Sequence, residues 1–358
     1  MKKILFLTFF LSFLNPFYGQ ENSSRAEEIR KQYKIPELAY AVVSSDSIFE
    51  IQALGFKRLN SSFKANISDK FRLGSITKTI TSYIATTLVR EGKIKWDTKF
   101  FDLYPELKAE SNPEIYNVTL QDFLTFRAPI PTWSYGNETP NQKEIKGNNQ
   151  EQRYEFIAWF FKQKQIIKEK KDWYGSNPSY VAAGLMLEKA TGKSYETLVK
   201  DLGKGLNIDF GFGQPNFTDI NQTWGHDEEL KPEKPALNYK LNWLSSAGNV
   251  NCSLPDYCKF TQMQLKGLLG KSKLLTAEEF NYMHFGFPEF SFGWYSEINE
   301  NSGLKYSFHC GNPGTFLTKV YICKDINKAF ILFANVQSEE ADKGLMLLLA
   351  ELQQQYGG

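Results

Sequence analysis

The chain shows strand-like periodicity at its two ends. Near the start, two apolar runs, Ala39 to Val43 and Ile48 to Leu54, flank the polar residues 44–47, a pattern typical of a hairpin. Between residues 290 and 333, apolar stretches alternate with turns rich in Asn, Gly and Asp, which indicates further strands. The four strands predicted there run from Phe290 to Ile298, Lys305 to His309, Thr315 to Cys323 and Ala329 to Phe333.

Helical periodicity dominates the middle of the chain. Apolar residues recur at four-residue steps from Ile76 to Leu88, which predicts a buried helix directly after Ser75. Asn177 is predicted to cap another helix, with Pro178 at its first position and Gly192 just past its end. Further helices are predicted over Arg25 to Tyr33, Glu151 to Gln165, Ser194 to Leu202, Ser253 to Gln264, Thr276 to His284 and Lys343 to Gln354, with a short one after Thr119.

Strands at both ends with helices between them predict an α+β fold. One antiparallel sheet would be formed by both chain ends and flanked by helices, and the middle of the chain would form a mostly helical lobe. We expect the sheet lobe to include about residues 25–72 and 285–358, and the helical lobe about residues 73–284. Residues 128–150, rich in Pro, Asn, Gly and Thr, predict a loop that shapes the cleft between the lobes.

The N-terminus has the pattern of a secretory signal. Lys2 and Lys3 precede an apolar run from Ile4 to Leu14, which is too short to span a bilayer, and a polar boundary follows near Gly19. No cysteine stands at the expected cleavage point, so lipid anchoring has no support. We therefore expect residues 1–19 to be a signal peptide, residues 20–358 to be one domain, and the protein to be periplasmic or secreted.

Charge and cysteine content narrow the function classes. The formal net charge of +2 falls to 0 when Lys2 and Lys3 are removed, so nothing indicates binding of nucleic acid or of an anionic membrane. Export permits disulfides, and Cys252 with Cys258 or Cys310 with Cys323 are possible pairs, but the sequence does not choose between the pairings. A metal site is not expected, because no two histidines have ligand spacing and no CxxC motif is present.

The strongest candidate chemistry is Ser75 followed by Lys78. Three residues apart on a helix, the two side chains lie on one face, so a lysine with a lowered pKa could take the proton of the serine. The helix N-terminus would add backbone N–H groups near the hydroxyl. Without partners, Ser75 could equally be a helix cap and Lys78 a solvated lysine, since the same spacing recurs at Ser61 and at Ser302.

Two later stretches supply such partners. Residues 173–177 read Trp-Tyr-Gly-Ser-Asn before a helix, and residues 308–312 read Phe-His-Cys-Gly-Asn among the strands. With Ser75 and Lys78, the chain resembles the serine β-lactamase and penicillin-binding protein superfamily, in particular its class C-like branch of esterases and D-peptidases. That superfamily carries S-x-x-K, Y-x-N or S-x-N, and K-T-G or H-x-G in this order.

The resemblance implies a role for each matching residue. Ser75 would be the nucleophile, Lys78 the base, and a tyrosine would share the proton transfer. The backbone N–H groups of Ser75 and Asn312 would form the oxyanion hole. Asn177, His309 and Gly311 would lie on the substrate side, with Gly311 leaving room for the substrate. No cofactor and no metal are implied.

The sequence departs from the family pattern at two places. Gly175 stands at the family's tyrosine position, so Tyr174, one residue earlier, either swings in from a bulged loop or leaves the tyrosine role unfilled. Residues 126–129 read Phe-Arg-Ala-Pro where relatives commonly have a histidine followed by Ser-Gly or Ala-Gly. His226 and His284 are expected to be structural or exposed.

The resemblance predicts an exported serine hydrolase that acts through an acyl-enzyme on a small ester or amide. His309 in place of the family lysine removes the charge that would meet a β-lactam carboxylate, which favours an esterase or a D-amino-acid peptidase over a β-lactamase. The alternative is a catalytically impaired binding or sensor protein with the same fold. Small molecules or peptides are the expected partners; the substrate and the oligomeric state stay open.

Overall fold

Two antiparallel sheets form the β structure of the part of the chain that the structure describes. A computed structural model describes residues 16–134, 137–140, 145–163, 173–236 and 242–357. The strands are β1 Glu37–Val43, β2 Ile48–Gly55, β3 Lys70–Arg72, β4 Gly211–Phe212, β5 Val250–Ser253, β6 Phe290–Ser291, β7 Trp294–Ile298, β8 Lys305–Gly311, β9 Leu317–Cys323 and β10 Lys328–Ala334.

The main sheet combines both ends of the chain, which confirms the predicted α+β fold. Its seven strands lie in the order β2-β1-β10-β9-β8-β7-β6, and all neighbours are antiparallel. The joint between the chain ends is the β1–β10 ladder, where Ala41 pairs with Ile331. Every residue of β1 and β9 is buried, because helices cover both faces of the sheet at its centre.

The predicted strand from Phe290 to Ile298 is wrong in one respect: it is a tight hairpin of β6 and β7. The turn contains Gly293, whose φ is +81°, a conformation that glycine adopts without strain. A Cβ at Gly293 would lie 2.7 Å from the carbonyl oxygen of Lys78. The chain therefore breaks here because this hairpin packs directly against the backbone of the helix that carries Lys78.

The helices largely follow the predicted ranges. Thr119 and Thr276 cap their helices through capping boxes with Asp122 and Glu279, and Gly192 ends its helix at φ +69°. Short 3₁₀ helices span Gly74–Ile76, Pro105–Glu110 and Pro113–Ile115. The α-helices are α1 Pro16–Gln32, α2 Thr77–Arg90, α3 Phe100–Leu103, α4 Leu120–Leu124, α5 Asn149–Lys162, α6 Asn177–Thr191, α7 Tyr195–Leu206, α8 Pro215–Thr218, α9 Ser245–Gly248, α10 Leu254–Leu268, α11 Ala277–Phe285 and α12 Glu339–Tyr356.

Two hydrophobic clusters lie on opposite faces of the main sheet. The larger one joins the sheet to the helical part and includes Ile76, Ile80 and Ile84 of α2. The smaller one lies under α1 and α12, where Ile29 and Leu345 are fully buried. Helix α2 is thus enclosed by apolar packing, and this burial rather than helix propensity stabilises its threonine-rich sequence.

The second sheet, in the order β3-β5-β4, was not predicted. Its strands have only two to four residues, too few to show a two-residue period in the sequence. In β3, Lys70 pairs with Ser253 and Arg72 with Asn251. This pairing holds the end of β3 in place immediately before the Gly74–Ile76 turn.

All four cysteines are free thiols. Cys310 pairs with Lys319 across the β8–β9 ladder. Cys323 lies four residues farther along β9, so its Cα is roughly 13 Å along the strand from the position opposite Cys310. That separation exceeds the Cα distance of about 7 Å that a disulfide can bridge. Within the described ranges, no helix has the length and apolar character that a bilayer span requires, and no group of acidic, histidine or cysteine side chains is placed to hold a metal ion.

Candidate active site

The Gly74–Ile76 turn presents Ser75 at the start of the buried helix α2. Gly74 has φ +54°, and a Cβ there would lie 2.8 Å from Cδ of Pro313 and 3.0 Å from the backbone nitrogen of Asn312. Only glycine therefore allows the turn after β8 to approach so closely. This contact brings the backbone of Asn312 beside the residue that precedes Ser75.

Lys78 is the centre of the site. Its Nζ lies 3.0 Å from Oγ of Ser75, 2.9 Å from Oδ1 of Asn177 and 2.7 Å from the carbonyl oxygen of Ala247. The side chain is 2% exposed, and burial lowers the pKa of Lys78 to about 7. Near neutral pH, a large share of Lys78 is therefore an uncharged amine that can accept the proton of the Ser75 hydroxyl.

Asn177 contacts Lys78 from the N-terminus of α6. The prediction that Asn177 caps this helix is wrong, because the preceding residue, Ser176, has the extended backbone of an N-cap. As the first helical residue, Asn177 has its side chain free for the site: Oδ1 accepts from Lys78, and Nδ2 donates to the carbonyl of Trp133 at 3.2 Å. The loop that contains Trp133 thus contacts the site through this asparagine.

The contact between Lys78 and the backbone carbonyl of Ala247 was not predicted from the sequence. Ala247 lies in the one-turn helix α9, which packs against α6 because Gly184 has no side chain: a Cβ there would be 2.4 Å from Oγ of Ser246. The same Oγ donates to the carbonyl of Tyr180 at 2.8 Å. A backbone carbonyl leaves no residue-specific signal in the sequence.

His309 lies on β8, buried to 2% exposure. Burial, with a smaller effect from the charge of Lys78, lowers the pKa of His309 to about 3, so the ring is neutral near pH 7. Its Nδ1 has no hydrogen-bond partner among the described residues. The ring packs beside Tyr295, with 5.3 Å between ring centroids, and Phe290, at 6.0 Å. His309 therefore presents an uncharged surface.

Gly311 has a packing role that its sequence position did not reveal. A Cβ at Gly311 would lie 2.0 Å from the carbonyl oxygen of Leu73 and 2.4 Å from Oγ1 of Thr318. That Oγ1 also donates to the Leu73 carbonyl at 2.8 Å. Glycine at 311 thus lets β8 contact the chain just before Ser75. Cys310 faces the other side of the sheet, where Nζ of Lys319 lies 3.9 Å from its sulfur.

Tyr174 and Gly175 belong to an extended segment that is tied to the rest of the fold by its backbone. The N–H of Tyr174 donates to the carbonyl of Phe126, which has a positive φ of 57°. Arg127 fixes that same turn by donating to the carbonyls of Thr125, at 2.6 Å, and Phe290, at 3.0 Å. The residues that depart from the family pattern thus support the Tyr174 segment. The Tyr174 side chain is half-buried, and the role predicted for its hydroxyl stays a prediction.

The other two histidines are structural, as predicted. The imidazole of His226 is hydrogen-bonded to the carbonyl of Asn335, at 2.8 Å, and accepts from the N–H of Leu59 at 3.1 Å. His284 is buried between Ser307 and Gln264, which lie 2.7 and 3.1 Å from its two ring nitrogens.

The chain is similar to known proteins in sequence and in fold. A family model described as Beta-lactamase matches residues 23–354. Protein flp of Staphylococcus aureus is 20% identical in strain COL and 21% in strain MW2 over 318 residues, which cover 86% of this chain and 61% of each relative. The chain thus spans about three-fifths of the length of these curated relatives.

Two solved structures share the fold. The octameric penicillin-binding protein homologue from Pyrococcus abyssi superposes with a TM-score of 0.77 at 19% identity, over 93% of this chain and 77% of that one. SurE, crystallised with D-Leu, superposes with a TM-score of 0.73 at 18% identity, over 95% of this chain and 76% of that one. At these identities the likeness shows the fold.

Proposed function

Because the chain belongs to the beta-lactamase family, we propose that it is a serine hydrolase that forms an acyl-enzyme on Ser75. One observation carries the proposal: Nζ of Lys78 is 3.0 Å from Oγ of Ser75, and its pKa is lowered to about 7. This is the distance and the protonation state that a general base needs. The hydrogen bonds to Asn177 and Ala247 hold the amine in that position.

The acylation step follows from these contacts. The Ser75 hydroxyl proton moves to Nζ of Lys78 while Oγ bonds to the carbonyl carbon of the substrate. The resulting oxyanion accepts from the backbone N–H groups of Ser75 and Asn312. The Lys78 ammonium then donates its proton to the leaving alkoxide or amine, the acyl–leaving-group bond breaks, and water later hydrolyses the ester on Ser75.

Tyr174 is proposed as a second proton carrier in this cycle. Lys78 lies within hydrogen-bond distance of Ser75, and the Tyr174 hydroxyl would share the proton transfer with it. Substituting Tyr174→Phe removes only the hydroxyl, so a large loss of kcat would support the second-carrier role. Full activity of this variant would assign the proton transfers to Lys78 alone.

The substrate is proposed to be a small ester or amide whose binding needs no positive charge from β8. His309 is neutral, which supports an esterase or a D-amino-acid peptidase over a β-lactamase. The D-Leu complex of SurE supports the D-amino-acid alternative. The N-terminal pattern supports export to the periplasm or the medium.

A binding or sensor protein is the second candidate, favoured by Gly175 at the family's tyrosine position. Such a protein would acylate on Ser75 and release the acyl group very slowly. A burst of one product equivalent per chain with no steady state supports this candidate, whereas multiple turnovers exclude it.

The deciding experiment is fluorophosphonate labelling combined with hydrolysis of p-nitrophenyl esters by the purified chain. We expect wild type to be labelled and Ser75→Ala to lose both signals. Ser61→Ala is the matched control, because Ser61 also precedes a lysine by three residues but lies in a turn, donating to the carbonyl of Arg58. Labelling that survives in Ser75→Ala would contradict the assignment.

A further inference from the structure

A row of aromatic rings leads from His309 to the segment that precedes Asn177. The Tyr295 ring lies 5.3 Å from the imidazole of His309 and packs edge-on against the indole of Trp173, with 6.0 Å between centroids. Phe290 supports both, at 4.7 Å from Tyr295 and 6.3 Å from Trp173. Tyr295 and Trp173 are only partly buried, so they have surface to offer a ligand.

The indole of Trp173 lies against the position where the family has its tyrosine. A Cβ on Gly175 would be 3.0 Å from Cζ3 of Trp173. The indole N–H is already donated to the carboxylate of Glu289, and the ring is nearly parallel to Phe126, at 22° and 6.2 Å. Trp173 is thus a fixed, apolar surface where relatives present a hydroxyl.

The chain connectivity places this surface beside the reacting groups. Gly175 is two residues before Asn177, which contacts Lys78, and Tyr295 adjoins His309 on the other wall. Neither His309 nor the rings carry a charge that could neutralise a carboxylate, and Glu289 at the edge would repel one. Aromatic side chains bind one another through offset or edge-to-face contacts.

We infer that Trp173 and Tyr295 form the surface that binds the acyl part of the substrate, and that this acyl part is an aromatic group without a carboxylate, as in an arylacetyl ester or amide. The inference rests on the proposed acyl-enzyme chemistry at Ser75. Trp173 determines specificity and takes no part in proton transfer, since its indole N–H is donated to Glu289.

The test compares kcat/KM for p-nitrophenyl phenylacetate and p-nitrophenyl acetate in wild type, Trp173→Ala and Trp173→Phe. Wild type is expected to prefer the phenylacetate. Trp173→Ala should lower the ratio of the two kcat/KM values, phenylacetate over acetate, about tenfold, the upper range for one aromatic contact. Trp173→Phe retains a ring and should keep most of the preference.

Trp159→Ala is the matched control, because Trp159 is also half-buried but packs against Phe156 and Phe160 on α5; it should change neither substrate selectively. Equal losses on both esters in Trp173→Ala, or a wild type without preference for phenylacetate, would overturn the inference while leaving the proposed hydrolase intact. A wild type that is neither labelled by fluorophosphonate nor active on either ester would refute the proposed function, and this inference with it.

Discussion

Replacing Asn177 by aspartate tests the role of Lys78 by changing its charge environment. The substitution Asn177→Asp exchanges one amide nitrogen for oxygen and places a carboxylate where Oδ1 lies 2.9 Å from Nζ of Lys78. An aspartate in the first turn of α6 suits the helix dipole, but it loses the hydrogen bond from Nδ2 to the carbonyl of Trp133. The added negative charge stabilises the ammonium form and therefore raises the pKa of Lys78.

The size of the effect follows from Coulomb's law. At this distance and an effective dielectric constant of about 20, the attraction is about 6 kcal/mol, an upper limit because the existing hydrogen bond is replaced. Opposite charges in contact commonly change a pKa by about one to three. The pKa of Lys78 should thus rise from about 7 to between about 8 and 10, and the neutral fraction at pH 7 should fall about 5- to 500-fold.

The assay is kcat/KM for a p-nitrophenyl ester between about pH 5 and pH 10, corrected for spontaneous hydrolysis. In wild type, kcat/KM should rise with pH through a midpoint near 7, because the deprotonated lysine is the active form. In Asn177→Asp the midpoint should move to higher pH, with activity recovered there. Asn177→Ala removes the contact without adding charge and should keep a midpoint near 7. An unchanged midpoint in Asn177→Asp would refute Lys78 as the base.

Three further substitutions test stability. Lys78→Met should raise the melting temperature below pH 7 and lose this advantage as pH rises towards 10.5. The pKa of the native lysine is lowered to about 7, whereas the unfolded lysine keeps its ordinary value. The buried ammonium therefore destabilises the wild type fully below pH 7 and progressively less above it. Arg153→Ala leaves Glu188 buried without its partner and should cost about 3–5 kcal/mol in urea unfolding. Glu37→Gln should raise the melting temperature more at pH 8 than at pH 5. Burial and the neighbouring Asp69 raise the pKa of Glu37 in the native protein. The protonated carboxyl therefore contributes to the stability of the wild type at low pH, and that contribution is lost as pH rises through the native pKa. A pH-independent change in either titrating variant would contradict the assignment of its pKa.

Local patterns predicted the parts of the site that depend on neighbouring residues. The spacing of Ser75 and Lys78 is set by one helical turn, and the apolar stripe after them required burial of α2. Most strands of the main sheet were predictable because they are runs of five or more residues bounded by turn residues, whereas the two-residue strand β6 was not. Their pairing followed from the family resemblance and from the rule that both ends must bury their apolar faces.

Contacts between distant backbones could not be predicted. A glycine is needed at 293 because a Cβ there would lie 2.7 Å from the carbonyl oxygen of Lys78. A glycine is needed at 311 because a Cβ there would collide with the carbonyl oxygen of Leu73, more than two hundred residues earlier. The Ala247 carbonyl binds Lys78 through an atom that every residue has. The indole of Trp173 packs against Gly175, a contact that depends on the tertiary structure. None of these leaves a local pattern in the sequence, since each depends on the final tertiary arrangement.

The pairing of β1 with β10 also determines when the site can exist during synthesis. Ala41 and Ile331 are 290 positions apart (331 − 41), so β1 waits for its partner strand while nearly the whole chain is made. At ribosomal rates of about 5–20 residues per second, that delay is roughly 15–60 s. His309 and Asn312, on and just after β8, emerge in the last part of this interval. A chain that carries Ser75 and Lys78 but not yet β8, β9 and β10 therefore has no assembled site, because the sheet that positions His309 and Asn312 is incomplete.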